Sequence, residues 1–125
     1  MTNNKYDIQD RTLSFAIRVA KIINSLPRTI SAIEYGKQLI RSSSSVGANI
    51  EKADGTLTKK DFIHKLAIAR RESRESRYWL KLITGSIEHE NPNLTDELQL
   101  LTREAEEIMP ILSSIINKVT SKLSQ

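Results

Sequence analysis

The side chains with the most capacity for chemistry in this sequence are cations crowded into one segment. Eight of the nineteen Lys and Arg residues lie between Lys59 and Leu82 with only three carboxylates, so the segment carries +5 while the remainder of the chain carries −1. At 3.6 residues per turn, Lys59, Arg70, Arg74, Arg77 and Lys81 fall within one narrow helical sector. Cations so arrayed neutralise phosphates and displace counterions, which gives salt-sensitive and largely sequence-independent affinity for RNA or DNA. The alternative is a solvated face whose excess is partly offset by Glu72 and Glu75 at helical spacing. A net charge of +4 over 125 residues is modest, so the basic character is local.

Catalytic and metal chemistry find little to work with. A di-iron bundle needs Glu-x-x-His on two helices with further inward carboxylates; Glu72 and Glu75 stand three apart, but His64 and His89 lack partners at ligand spacing, and Glu88 and Glu90 fall at a helix end. The run Ser42 to Ser45 offers hydroxyls without a base placed by sequence or a strand-to-helix elbow. Gly47 and Gly55 lack the spacing and the Gly-Lys-Ser signature of a phosphate-binding loop. No catalytic residue, metal or cofactor is expected, and the chain reads as a non-enzyme. The absence of cysteine rules out disulfides and thiolate ligands. The polar N-terminal stretch lacks the apolar core of a signal peptide, and no apolar run approaches ~20 residues. A soluble, cytoplasmic protein without a membrane partner is the resulting expectation.

Four amphipathic helices must position these groups. The first is predicted over about residues 10–26, capped by Asp7 or Asp10 and ended by Pro27. It carries two apolar stripes, one of Leu13, Ala16, Ile17, Ala20 and Ile23 and one of Phe15, Val19, Ile22 and Leu26. One stripe can enter a core, and the other needs cover from a wider core face or a second subunit. The second helix, about 29–53, runs through the serines, because Ala32, Gly36, Leu39, Ser43, Val46, Ile50 and Ala53 keep a four-three spacing. Gly36, Ser43 and Gly47 form a small-residue seam, and Gly55 is expected to end the helix in the left-handed conformation. The third, about 59–87, opens on a capping box, Thr58 to Asp61, and turns its sector of Phe62, Leu66, Ala69, Ser73, Ser76, Leu80 and Ile83 to the core. Asn91, Pro92 and Asn93 read as a turn. The fourth helix, about 95–122, carries Leu98, Leu101, Ala105, Ile108, Leu112, Ile115 and Val119, with a kink or short break expected at Pro110. No strand is predicted. Short connections make this an all-α, antiparallel up-down-up-down four-helix bundle forming a single domain over 1–125.

Away from its core and cationic sectors, the third helix groups Ile68, Glu72, Glu75, Trp79 and Leu82. Carboxylates flanking the only tryptophan and two aliphatic residues suit a contact surface anchored by the indole. The alternative has Trp79 covering a core edge while the glutamates pair with Arg71 and Lys65 in water. Together with the surplus stripe of the first helix, this face predicts a homo-oligomer. A protein-interaction module without nucleic acid is the competing functional reading.

Two stretches, RSSSSVGANIEKADG and DFIHKLAIARRESRESRYWL, resemble the small four-helix-bundle proteins encoded in intervening sequences of bacterial 23S ribosomal RNA genes. The likeness covers nearly the whole chain. Its most specific parts are the small-residue run leading to Ala48, Asn49 and Ile50, then Phe62, Leu66, Ile68 and Ala69, then Glu72, Glu75, Tyr78, Trp79 and Leu80. The family commonly has Glu two residues after the isoleucine of its Ala-Asn-Ile stretch, and Lys52 stands there. Proteins of this kind are similar to the accessory variability protein of diversity-generating retroelements. The resemblance therefore implies a homopentameric ring, a nucleic-acid partner, and a protein partner such as a reverse transcriptase.

Overall fold

The computed structural model describes residues 4–87 and 91–123, and the side chains of residues 8–87 and 91–122. The described residues form four helices: α1 (Asn4–Ile23), α2 (Ile30–Asp54), α3 (Lys59–Ser86) and α4 (Pro92–Leu123). Each packs against two others, α1 on α2 and α4, and α3 on α2 and α4. Paired positions run in opposite directions along neighbours. Arg11 reaches Glu104 while Arg18 reaches Glu97, and Thr12 faces Gly47 while Ile23 faces Gly36. The bundle is thus all-α and antiparallel, as its amphipathic pattern predicts.

One stripe of each helix builds the core. Ile8, Phe15, Val19 and Ile22 from α1 meet Leu39, Val46 and Ile50 from α2, Leu66, Ala69, Leu80 and Ile83 from α3, and Leu98, Leu101, Ala105, Ile108 and Leu112 from α4. Of the two stripes of α1, the Phe15 stripe is therefore the buried one. Leu13 stays 61% exposed and Ile17 47% exposed. Thr12 fits among buried apolar neighbours because its hydroxyl donates to the Ile8 carbonyl at 2.8 Å.

Several boundaries differ from expectation, each for a local reason. α1 is already helical at Asp7 and Asp10, because the buried stripe starts at Ile8 and continuing it outweighs a cap. It stops at Ile23; Ser25 and Leu26 make shorter i−3 bonds to Ile22 and Ile23, as the restriction on a residue preceding proline requires. α4 begins at Pro92 rather than Thr95. Asn91 caps it, its Oδ1 accepting from the N–H groups of Asn93 (3.1 Å) and Leu94 (3.4 Å), and proline suits the first helical position because it lacks a donor there. Pro110 does not break α4. Beyond it Ile116 is buried, in place of the expected Ile115, which is half-buried. Gly55 closes α2 with φ −93° instead of a left-handed value. Its N–H and that of Thr56 bond to the Lys52 and Ala53 carbonyls, tightening the last turn.

The small-residue seam lies where α1 crosses α2. A Cβ built on Gly47 would lie 3.2 Å from Thr12 Oγ1, which is tight, whereas one on Gly36 would meet Ile23 at an ordinary 3.4 Å. The helix-propensity deficit of glycine, ~0.8–1.0 kcal/mol, is therefore recoverable at position 36. Gly36→Ala is expected to stabilise the protein by about 0.5–1 kcal/mol, read as a rise in Tm of a few degrees; an unchanged or lowered Tm would show that the seam tolerates no added methyl.

Candidate functional site

Thr58 starts α3 by accepting from the Asp61 N–H at 3.1 Å. The return bond from Asp61 is not formed among the described residues, so the capping box is half realised. From this start the chain phases its core sector inward, with Leu66, Ala69, Ser73, Ser76, Leu80 and Ile83 buried and Phe62 half-buried. Buried hydroxyls pin the register. Ser76 bonds Ser42 of α2 at 2.9 Å, and Ser73 donates to the Ala105 carbonyl of α4 at 2.9 Å. The serine run of α2 is thereby divided, with Ser42 and Ser43 buried in packing and Ser44 exposed with its hydroxyl on the Ile40 carbonyl.

That register brings Arg41 of α2 against the carboxylates of α3. Its Nη1 donates to Glu72 Oε2 at 2.9 Å and its Nη2 to Glu75 Oε2. The Trp79 indole N–H donates to the same Glu75 oxygen at 3.0 Å. Tyr35 of α2 stacks on Trp79 with ring centroids 5.9 Å apart and 30° between planes, and Tyr78 meets it edge to face at 5.2 Å and 74°. Trp79 is half-buried and packs on the core. Glu72 does not lie on a solvent face: its side chain is only 11% exposed. The partner of both glutamates is Arg41, not Arg71 or Lys65. Ile68 and Leu82 flank this cluster half-buried, and Asn49, buried, donates its amide to the Ser45 carbonyl at 2.8 Å.

Capture of Glu72 and Glu75 by α2 changes the balance on α3. Among the described residues, none of the eight cations of α3 forms an ion pair; the cross-helix pairs are made by Arg11 and Arg18 of α1 with α4 and by Arg41 of α2 with α3. The hydrogen bonds that Arg11 donates to Glu104, opposed by partial burial, raise its guanidinium above its usual pKa. Of the predicted cationic sector, Arg70 is half-buried and donates to Ser113 Oγ of α4 at 3.0 Å. Arg74 and Lys81 are exposed and Arg77 half-exposed, all within two turns. Lys59 lies about 22 Å before Arg74 along the axis at ~1.5 Å per residue, so it does not join them. Lys81 and Arg103 of α4 line one open groove with Thr84, Gln99 and Thr102.

Sequence reasoning missed Arg41, Tyr35 and Arg103. No spacing within one helix reveals them, because each enters through inter-helix register. His64 is exposed, while His89, Glu88 and Glu90 lie outside the described residues. Among the described residues, no group of three or more His, Cys, Asp or Glu could hold a metal ion, and no helix is long and apolar enough to cross a membrane.

Fold and site together define a small antiparallel bundle protein with a cation strip on one helix and two of that helix's three acids tied to a neighbouring helix. The chain belongs to the 23S rRNA-intervening sequence protein family, whose profile matches residues 4–114. It is similar to a crystal structure of a protein of unknown function from the S23 ribosomal protein family of Bacteroides thetaiotaomicron. The two share 30% identity with a TM-score of 0.76, over 92% of this chain and 99% of that one. No curated protein matches the chain.

Proposed function

We propose that the protein is a non-enzymatic, homo-oligomeric bundle that binds RNA or DNA through the cations of α3, with Arg74, Arg77 and Lys81 at the centre, Arg70 beside them and Lys59 peripheral. The observation that carries this reading is the capture of Glu72 and Glu75 by Arg41, which leaves those cations without carboxylate partners among the described residues. Unpaired cations concentrated on one helix recognise a polyanion by charge, and Arg103 beside Lys81 extends the strip onto α4. Titration of structured RNA at several salt concentrations tests it: binding at low salt that weakens steeply as salt rises is expected, and no binding at low salt would refute it.

Association of copies is supported by the uncovered stripe of α1. Leu13 and Ile17, with Ile33 and Ile40 of α2, are large apolar side chains left in solvent. A homopentamer, the state the family resemblance implies, would repeat the cation strip around a ring and multiply weak phosphate contacts into avidity. Light scattering is expected to give a mass near five chains. Leu13→Glu with Ile17→Glu is expected to give a helical monomer, because both positions are exposed and their loss leaves the core intact; a monomeric wild type would contradict this.

A second reading is a protein-docking module, with a reverse transcriptase as the partner suggested by resemblance to the retroelement accessory protein. Half-exposed Ile68 and Leu82, on the helix face that carries Trp79, favour it. A pull-down from the native host returning one specific protein and no nucleic acid would select it.

A further inference from the structure

Tyr78 is the aromatic side chain of α3 that the bundle does not use. It is 57% exposed, whereas Trp79 beside it packs on the core, stacks on Tyr35 and donates to Glu75. The contact between Tyr78 and Trp79 is edge to face. In either sense of such a contact, at least one face of the tyrosine ring remains uncovered by the indole. Arg74 precedes Tyr78 by four residues and Lys81 follows it by three, so both stand one helical turn away on the same side. Glu75, also within a turn, is held towards α2 by Arg41, which it shares with Glu72, and by the Trp79 indole N–H. The open ring therefore lies between two cations that form no ion pair among the described residues, with the indole against its other side.

A flat ring flanked by cations suits a polyanion whose own rings are available for stacking. Single-stranded nucleic acid offers both phosphates and unstacked bases, and base–aromatic stacking is sequence-tolerant because every base has a π-face. A duplex offers only phosphates at this surface, its bases being stacked and paired inside. Tyr78 sits in the middle of a helix rather than on a loop, so its position is set by the backbone of α3 and little ordering is needed on binding.

Resting on the nucleic-acid reading above, we propose that the bound species is single-stranded, with a base stacked on Tyr78 and the adjoining phosphates on Arg74 and Lys81. The test compares a labelled RNA strand free of self-complementarity with the same strand annealed to its complement. Each is titrated by fluorescence anisotropy against wild type, Tyr78→Leu and Tyr78→Phe. The wild type is expected to prefer the single strand. Tyr78→Leu is expected to weaken single-strand binding about 10-fold or more while changing duplex binding less than about twofold and leaving the salt slope unaltered. Tyr78→Phe, which keeps the ring, should retain most of the affinity. Light scattering of the leucine variant is expected to match wild type. Salt-sensitive binding in which Tyr78→Leu has no effect, or lowers both forms equally, would overturn this inference alone. Dissociation of the Tyr78→Leu oligomer would overturn it in favour of a subunit contact, and specific capture of a protein on this ring would replace it with protein docking. Failure of the wild type to bind either form would overturn the nucleic-acid reading beneath it as well.

Discussion

Replacing Arg74, Arg77 and Lys81 together by Ala is expected to lower RNA affinity about 100-fold at low salt, at about 1 kcal/mol per partly exposed cation–phosphate contact. It should also flatten the dependence of log K on log salt by roughly 2–3 units, since each lost phosphate contact removes about 0.7–0.9 from the slope. The two readouts separate a direct role from an indirect one. Loss of fold would abolish binding without a graded change in slope. Little loss of fold is expected, because none of the three side chains makes an ion pair or hydrogen bond among the described residues. Removing three like charges from one strip also relieves mutual repulsion. In an oligomer the loss is repeated in every subunit, so avidity should enlarge the effect beyond a single site's share. An unchanged slope in a folded triple variant would remove α3 from the binding surface.

Arg41→Ala is expected to be the most damaging substitution among the ion-pairing side chains. Its side chain, 48% exposed, serves a Glu72 side chain only 11% exposed and also reaches Glu75. Deleting it leaves a buried carboxylate unpaired one turn from a second acid. Breaking a fully buried pair in this way costs about 3–5 kcal/mol and an exposed pair below ~1. The half-exposed arginine side chain places this case between them, at about 2–3 kcal/mol, or a Tm lower by about 10 °C. Adding Glu72→Gln should restore part of the loss by removing the stranded charge, and Arg41→Lys should fall between, because an ammonium lacks the fork that spans both carboxylates. A Tm within about 2 °C of wild type would show that the cluster contributes little. The same variant links fold to site. Freed from α2, Glu75 can turn towards the cations of α3, so RNA binding of the surviving folded protein should weaken modestly.

The core face of α3 was legible because a 3.6-residue period needs only one helix to be seen. Leu66, Ala69, Ser73, Ser76, Leu80 and Ile83 all turn inward as that period requires, and the serines among them find partners on α2 and α4. The serine run of α2 was legible for the same reason. Legibility failed at the starts of α1 and α4, where capping chemistry competes with other local rules. Asp7 and Asp10 have the composition of caps, but the buried stripe begins at Ile8 and overrides them. Asn91-Pro92-Asn93 has the composition of a turn, yet the same residues make an asparagine cap with proline in the first helical position. It failed again at Glu72 and Glu75. Their spacing put them on one face, but whether that face met water or α2 depended on the rotation of one helix against another. Arg41 and Tyr35, thirty or more residues away in sequence, decide that question by contact. The cations of α3 were visible as a stripe, and their lack of carboxylate partners among the described residues became visible only once the acids beside them were accounted for.

Ultraviolet cross-linking of the purified protein to a single-stranded RNA at low salt, with the attached peptides identified by mass spectrometry, tests the placement of the binding surface most directly. The expected result is cross-links concentrated between Arg70 and Leu82, foremost at Tyr78, with a weaker set around Arg103, all fading as salt is raised. Cross-links confined to the Leu13 and Ile33 face of α1 and α2, or none at any salt, would contradict it.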